Sequence, residues 1–567
     1  GATGVDRSAH IADVTASGTY AYLAARRLNT TPCGQAGVYV VDIADPTAPR
    51  EVGFIAFPPE SYPGEGMQVV SLNTPSFRGD VLVTNNENCT NPTNPARVGG
   101  FSLYDVTDPL NPVPLAVGFG DTNGGTLARA NDIHSAFAWQ ARRHAYVVAV
   151  DNPERGTSDT DIFDITDPRN PVMIAEQGLP NWPEVSVAAN GETVNLHDMV
   201  VKKVRGHYLM LLSYWDAGWI VLDVDDPANP TFVAESDHPD PDLLGFFPEG
   251  NAHQAEWSHN NKWILGTDED FSPFRIRFSI TSGPNAGDYG AGQFSWTVPL
   301  ATKYPGGVVQ GPTAWGGSGC VEDVDGNGIS DRAEVPPASS LVAAPGEAKT
   351  VVFSRGTCFF SIKVESGQLA GYDNVLVAQN HGATVNGTFP NGFACGSQGH
   401  VFTVTASGLC IGHRAMHLLF GDDPSYTGPD LADMPPIGTP GARISASSEF
   451  DGWGYVHLLD ASSLETVDSY AIPEALDPAH ATGSGVMSVH EVAMDKSEDL
   501  AYVSWYDAGM RVLRFGPGGI EEVGHYIAEG GNDFWGVEAY RAPDSEETLI
   551  LGSDRDSGLW ILRYTGG

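Results

Sequence analysis

Positive charge is scarce in this 567-residue chain: 30 lysines and arginines stand against 71 aspartates and glutamates, a net charge of −41. Proteins hold nucleic acid by neutralising its phosphates with cations, so this balance argues against nucleic acid as a partner, and against an anionic membrane surface. Long apolar runs are missing too, and none reaches the roughly 18 residues of a membrane span. Cysteine is limited to six residues, Cys33, Cys89, Cys320, Cys358, Cys395 and Cys410, with no Cys-x-x-Cys or Cys/His zinc spacing. Three disulfides are therefore expected rather than a thiolate metal site. Cys33 and Cys89 hold matching places in successive repeats and are expected to pair; the pairing of the other four is open. The first residues, Gly1-Ala2-Thr3-Gly4, carry no charged-then-apolar leader. With the cysteines, this leads to the expectation of an already processed protein, extracellular or at the cell surface. Also lacking are a Gly-x-Ser-x-Gly elbow, a phosphate-cradling glycine loop and a His-Glu-x-x-His helix.

Turn formers are abundant, with 66 Gly and 40 Pro, and they recur in a phrase. Asp42-Ile-Ala-Asp45-Pro46 ends one β-branched run, and Asp105-Val-Thr-Asp108-Pro109, Asp164-Ile-Thr-Asp167-Pro168 and Asp223-Val-Asp-Asp226-Pro227 end three more. The leading aspartates lie 63, 59 and 59 residues apart. Asp bonds nearby backbone N–H groups while Pro sets φ and cannot extend a ladder, so each phrase is a strand followed by a tight turn. Two further strand-like runs precede each phrase, such as 195–204 and 207–213, and one follows it. Four strands per unit read as propeller blades. Weaker copies at Tyr455–Asp460, Met510–Phe515 and Leu559–Tyr564 bring the count to seven. The last copy stops after its third strand, so residues 1–7 are expected to supply the missing outer one. The repeat resembles the LVIVD-repeat family of surface and secreted proteins, and that resemblance implies a propeller without implying an activity.

Asp223 to Asp460 spans 237 residues where one step takes 59, so about 178 residues are inserted. Blade five's first two strands, around His253 and Trp263–Asp270, read as intact, and its third resumes near Gly452. The expected fold is therefore all-β: a seven-bladed propeller (1–274 and 448–567) with an α+β insert at 275–447, between strands two and three of blade five. Within the insert, Val351-Val352-Phe353-Ser354-Arg355-Gly356-Thr357-Cys358, then a helix-like stretch and Ala370-Gly371-Tyr372, resembles a protease-associated (PA) domain. That resemblance implies a lid or a partner-contacting module without catalytic residues of its own. The insert also contains Asp323-x-Asp325-x-Asn327-Gly328-Ile329-x-Asp331-x-x-Glu334. Oxygen donors stand at positions 1, 3, 5, 9 and 12, a backbone carbonyl is offered at 7, and Gly at 6 makes the sharp turn. This spacing wraps six or more oxygens around one hard cation, and calcium with a structural role is expected.

Aligned blade starts give His10, His134, His197, His253 and His490 at one register. The second strands end in acid, at Asp151, Asp216, Asp270 and Asp507. Three of these lie 17 residues after their histidine. A strand out and a strand back returns to one sheet edge, so imidazoles and aspartates are expected at the channel mouth. Such a set suits zinc, copper, iron or manganese, with the aspartates orienting imidazoles or acting as general base. Repeated His–Asp pairs could equally bond blade to blade. Two functions follow. One is an extracellular metal-dependent enzyme, oxidative or hydrolytic, acting on a small molecule. The other is a non-catalytic surface protein for adhesion or assembly, binding a glycan or a protein with structural calcium only. The repeated Trp215-Asp216-Ala217-Gly218-Trp219 and Tyr506-Asp507-Ala508-Gly509 are read as packing and turn residues.

Overall fold

Alternating β-branched runs pair with their sequence neighbours throughout the propeller. In the computed structural model this yields six four-stranded antiparallel sheets and one of three strands, ordered as seven blades. The structure describes residues 11–25, 36–58, 60–88, 98–122, 129–154, 157–185, 195–215, 217–236, 251–324, 326–387, 391–396, 398–431, 434–481, 485–543 and 545–566. Residues 1–7, expected to complete blade seven, lie outside these, as do Cys33 and Cys89. Each blade begins with its innermost strand: Ile11–Ser17, Gln68–Asn73, Ile133–Ala141, Leu196–Val204, Ala252–Trp257, Val492–Met494 and Phe534–Tyr540. Outer strands such as Arg50–Ala56 are largely exposed. Among the described residues no helix is long and apolar enough to cross a membrane.

The repeated turn works as its chemistry dictates. Asp45 Oδ1 accepts the Thr47 N–H at 2.9 Å, and Asp108 and Asp226 accept from Leu110 and Ala228 at 3.1 and 3.3 Å. Asn111, Asn170 and Asn229 close the same turn by donating to Asp108, Asp167 and Asp226 at 2.8 to 2.9 Å. Close approach between blades fixes small residues: a Cβ on Gly266 of blade five would stand 2.2 Å from the buried Trp219 of blade four. The ring closes where Ile11, Val14 and Leu23 of blade one share a core with Tyr540, Leu551 and Leu559 of blade seven.

Polar side chains on the inner strands stitch each blade to the next. Asp13 accepts the Met67 N–H at 2.6 Å, Gln68 the Ala138 N–H at 2.8 Å, Gln254 the Val492 N–H at 2.9 Å and Glu491 the Val537 N–H at 3.2 Å. Ser135 Oγ donates to Asp198 at 2.5 Å in the corresponding place.

Blade five is interrupted between its second strand, Trp263–Asp268, and its third, Val456–Asp460. The chain leaves along Phe274–Ile280 and returns along Pro440–Phe450; these two strands pair antiparallel from Phe274↔Phe450, with a buried Arg275–Asp451 ion pair at 2.8 Å at their base. They belong to an eight-stranded mixed sheet whose parallel part is Val308–Trp315, Thr350–Ser354, Asn374–Ala378 and Ser407–Ile411. Helices Phe360–Leu369 and His413–Leu419 accompany it. Disulfides join Cys320 to Cys358 and Cys395 to Cys410, which resolves the pairing left open by the sequence.

The inter-blade stitches can be cut singly. Gln68→Leu keeps the volume but leaves the Ala138 N–H without its acceptor, a loss of about 1–3 kcal/mol for a buried donor. The midpoint of thermal or urea unfolding is expected to fall; an unchanged midpoint would show that the stitch contributes nothing.

Candidate functional site

Inner strands in an all-antiparallel blade alternate their side chains, and a single extra residue breaks that alternation. Five inner strands carry such a bulge at the same place. Register shifts occur between Ile11 and Val14, Ile133 and Ala136, Leu196 and Asp198, Ala252 and Gln254, and Phe534 and Val537. The residue that opens each bulge is turned out of the strand's ordinary facing. Together with the inter-blade stitches, the bulges align Ala12, Met67, His134, His197, His253, His490 and Trp535 as equivalent positions. Blade one therefore presents Ala12 at this register; His10, expected there from the sequence, lies outside the described residues.

The four histidines that remain come from four successive blades, and the structure brings them together. Neighbouring ring centres are 4.3 Å apart for His134–His197 and His197–His253, and 4.1 Å for His253–His490. At their centre is Glu65, from the Gly64-Glu65-Gly66 turn that leads into blade two. One Glu65 oxygen lies 3.4 Å from both His134 Nε2 and His253 Nε2 and 3.9 Å from His197 Nδ1; the other lies 3.4 Å from His490 Nε2. Glu269 closes the far side, 3.5 Å from His253 Nε2 and 3.7 Å from His490 Nε2. Tyr506 donates a hydrogen bond to Glu269. Glu87 sits 3.2 Å from His134 Nδ1, and the Trp535 carbonyl is 2.8 Å from His490 Nδ1. A carbonyl only accepts, so His490 Nδ1 carries a proton toward Trp535 and Nε2 faces inward.

His134 and His197 meet Nε2 to Nε2 at 2.9 Å, which requires one shared proton. The charges around them assign it. Burial would lower the His134 imidazole, but Glu65 and Glu87 outweigh that and push it up to about 10. Burial, then the charges of His253 and His134, hold His197 well below the usual histidine range. His134 thus donates and His197 accepts. Burial alone would raise Glu65; His134 and His253 overcome it and hold its carboxyl well below the ordinary value. Glu269 is pushed up to about 7, chiefly by burial. Both ring nitrogens of His253, Nε2 of His490 and Nδ1 of His197 are buried without a hydrogen bond.

Glu65, Glu87 and Glu269 were not identified from the sequence. Glu65 lies two residues before Met67, ahead of the register; Glu269 stands between Asp268 and Asp270, one residue from the position the 17-residue count selects. The aspartates chosen by that count act elsewhere. Asp151 pairs across strands with Ile133, the residue before His134, and accepts from Asn131 at 2.6 Å; burial pushes it up to about 8. Asp270 accepts the Ser272 N–H at 2.7 Å and shapes a turn, while Asp507 accepts the Val486 N–H at 2.6 Å and holds a segment 21 residues earlier. Asp216 lies outside the described residues. In blade five the hairpin pairs Trp257 with Ile264 and Ala252 with Asp268, which puts Asp270 two residues beyond the sheet.

The site opens into a cavity of about 330 Å³ walled by Ala12, Trp215, Phe271 and Trp535. Trp215 packs 4.9 Å from the His197 ring. Trp215 and Tyr506 are thus site residues rather than packing alone, while Trp219 is core. His134 and His197 are the more open imidazoles, with 20% and 12% of their side chains exposed, against 1% for His253 and 0% for His490. Access is from the side of blades three and four.

In the insert, the described residues among 323–334 gather on Asp323, whose carboxylate accepts the N–H groups of Gly326, Asn327 and Gly328 at 2.7 to 3.0 Å. Asp331 accepts from Val324 at 2.8 Å, Asn327 Nδ2 donates to Glu334 at 2.9 Å, and Glu334 Oε2 is buried without a hydrogen bond. Asp325 lies outside the described residues. The loop ends in a four-residue helix, Asp331–Glu334.

Residues 9–56 match the LVIVD repeat family. No curated protein matches the chain. Among solved structures it is similar to Sqt1 from Chaetomium thermophilum, at 12% identity over 99% of this chain and 98% of that one, with a TM-score of 0.40. The Cps50 (Swd1) β-propeller domain from Myceliophteria thermophila aligns at 9% identity over 99% and 98%, with a TM-score of 0.38. The Bombyx mori GH32 β-fructofuranosidase BmSUC1 aligns at 12% identity over 54% of this chain and 66% of that one, with a TM-score of 0.30. Likeness at this level concerns the fold alone, and the function has to be read from the site's own residues.

Proposed function

We propose that the chain is an extracellular metal-dependent enzyme whose centre is the channel site, with His134, His197, His253 and His490 as imidazole ligands and Glu65 as the carboxylate among them. One observation carries this reading: imidazoles from four consecutive blades converge on a single buried carboxylate. The buried nitrogens of His197, His253 and His490 that lack hydrogen bonds fit the group, since leaving such atoms unpaired costs free energy that a coordinated cation would recover. Metal binding displaces ligand protons, and once His134 releases the proton it shares with His197, the imidazole nitrogens with one or two carboxylates suit zinc, copper, iron or manganese. Bound there, such an ion would supply Lewis acidity or a redox couple to a small substrate in the cavity. The chain's own residues do the rest. Glu87 and the Trp535 carbonyl fix the orientation of His134 and His490, as acceptors behind metal-binding imidazoles do. Glu269, steadied by Tyr506, offers a buried carboxyl for proton transfer beside the imidazoles. Trp215, Phe271 and Trp535 give the cavity apolar walls that limit water. The two disulfides favour an oxidising, extracellular setting.

We further assign calcium to the 323–334 loop, with a structural role. The buried, unbonded Glu334 oxygen and the inward-folded Asp323 carboxylate are the groups such an ion would engage. The insert, resembling a PA domain, leaves blade five five residues after Glu269 and so is anchored beside the cavity, where a lid or a partner-contacting module would act.

Three outcomes test these assignments. Elemental analysis of untagged protein is expected to find one fewer equivalent of transition metal in the His197→Ala/His253→Ala double variant than in the wild type. Equal content would remove the enzyme reading and leave the non-catalytic surface protein. Glu65→Gln is expected to weaken metal binding at the channel at least about 10-fold by competition with a chelating dye, in line with losses on altering groups that support metal ligands; unchanged affinity would take Glu65 out of the site. Saturating calcium is expected to stabilise the wild type by about 2.7 kcal/mol at one hundred times its dissociation constant. That gain should vanish in Asp323→Ala, and a gain of the same size in the variant would put calcium elsewhere.

A further inference from the structure

A second group of imidazoles lies in the insert and has no part in the channel site. The parallel strands Asn374–Ala378 and Ser407–Ile411 run side by side, and each leads into a histidine: His381 three residues beyond the first, His413 two beyond the second. The carboxyl ends of adjacent parallel strands are where open sheets place ligands, because the loops part there. His413 opens the helix His413–Leu419, and His417 follows one turn later on the same face. The chain returning after that helix brings Asp430 to the same spot.

Donor atoms of His381, His413 and Asp430 lie within 4.8 Å of one another. The rings of His381 and His413 are 4.4 Å apart, and those of His413 and His417 are 4.6 Å apart. Asp430 accepts the backbone N–H of His381 at 2.6 Å and lies 3.8 Å from its Nδ1. The Gln379 carbonyl is 2.9 Å from His413 Nδ1, and an Asp422 carboxylate oxygen is 3.2 Å from His417 Nδ1. Both partners are acceptors, so each Nδ1 carries a proton toward its partner and each Nε2 is left for the site. Both side chains are buried, and both Nε2 atoms are without a hydrogen bond. An acceptor behind Nδ1 and a bare Nε2 is the arrangement of a metal-binding imidazole. Packing does not call for it, because Ala415, Met416, Leu418 and Leu419 already supply the helix's apolar contacts.

We propose that His381, His413 and Asp430, with His417 beside them, form a second metal site that takes a divalent transition ion of the zinc class. Neutral imidazoles with one carboxylate suit zinc, which is four-coordinate, whereas calcium demands six to eight oxygens. Tetrahedral bonds of about 2.0–2.1 Å put donors about 3.3 Å apart, so the observed spread needs only small side-chain rotations. Asp430 and His381, 36% and 13% exposed, give the ion its path in from solvent. The ion would clamp the loop after Ala378, the start of the helix at His413 and the segment around Asp430.

The test uses the untagged full-length chain with a His197→Ala/His253→Ala background, so that the remaining transition metal reports on the insert. One equivalent of zinc is expected to remain bound, and cobalt(II) should replace it with the visible absorption of a four-coordinate site. Adding His381→Ala and Asp430→Asn, both partly exposed and outside the core, should remove that band and weaken zinc binding at least 100-fold while circular dichroism and the calcium response persist. Undiminished zinc binding in that variant overturns the proposal, as does a channel-depleted chain that binds no zinc. In the otherwise wild-type chain the same two substitutions should remove one equivalent. If the wild type and the channel variant carry equal metal while the insert variant loses it, the channel reading fails and this one stands.

Discussion

A carboxylate removed from water must find compensating charge or hydrogen bonds, and Glu65 meets that requirement with imidazoles from four blades. Much of the molecule can be understood as the means of holding those rings in place. The bulges turn His134, His197 and His253 out of the strand's alternation. Directly after each histidine comes a residue that bonds to a neighbouring blade or, at Ser135, donates to one. Site and scaffold are therefore built from adjacent residues of the same strand. A change in blade spacing would move every ring at once.

Blade five shows how the fold accepts a large insertion without disturbing this centre. Its two inner strands carry His253 and lead to Glu269, and they pair normally. The third and fourth strands resume after the insert with the register Trp263↔Asp460. The interruption lies toward the outer half of the blade, and the Arg275–Asp451 pair ties the departing and returning strands together at its root. Breaking such a pair leaves a buried charge uncompensated, which costs about 3–5 kcal/mol, so the root is a firm one. The insert is thereby held next to the cavity whose wall includes Phe271.

The two imidazole groups are built by different rules. In the channel, equivalent positions of a repeat meet by rotation about one axis, and repetition in the sequence points toward them. In the insert, His381 and Asp430 come from loops and His413 from a helix start, with no shared pattern, and the parallel pairing of two strands brings the two histidines together. Each group nonetheless holds at least one imidazole by a backbone carbonyl on Nδ1, His490 through Trp535 and His413 through Gln379.

Sequence alone determined what depends on near neighbours: the Asp-Pro turns, the four-strand unit, the count of seven blades, the oxygen spacing of residues 323–334 and the histidines at blade starts. These are set by interactions a few residues long, which a linear pattern records. Tertiary structure decided what depends on parity and on distant loops. Strand pairing placed Ala12 at the register in blade one and gave Asp151, Asp270 and Asp507 other partners. Glu65, Glu269, the Cys320–Cys358 and Cys395–Cys410 pairs and the His381–His413–Asp430 group join segments whose separation along the chain carries no period. Their meeting follows from strand pairing and blade closure, and no local pattern of residues encodes it.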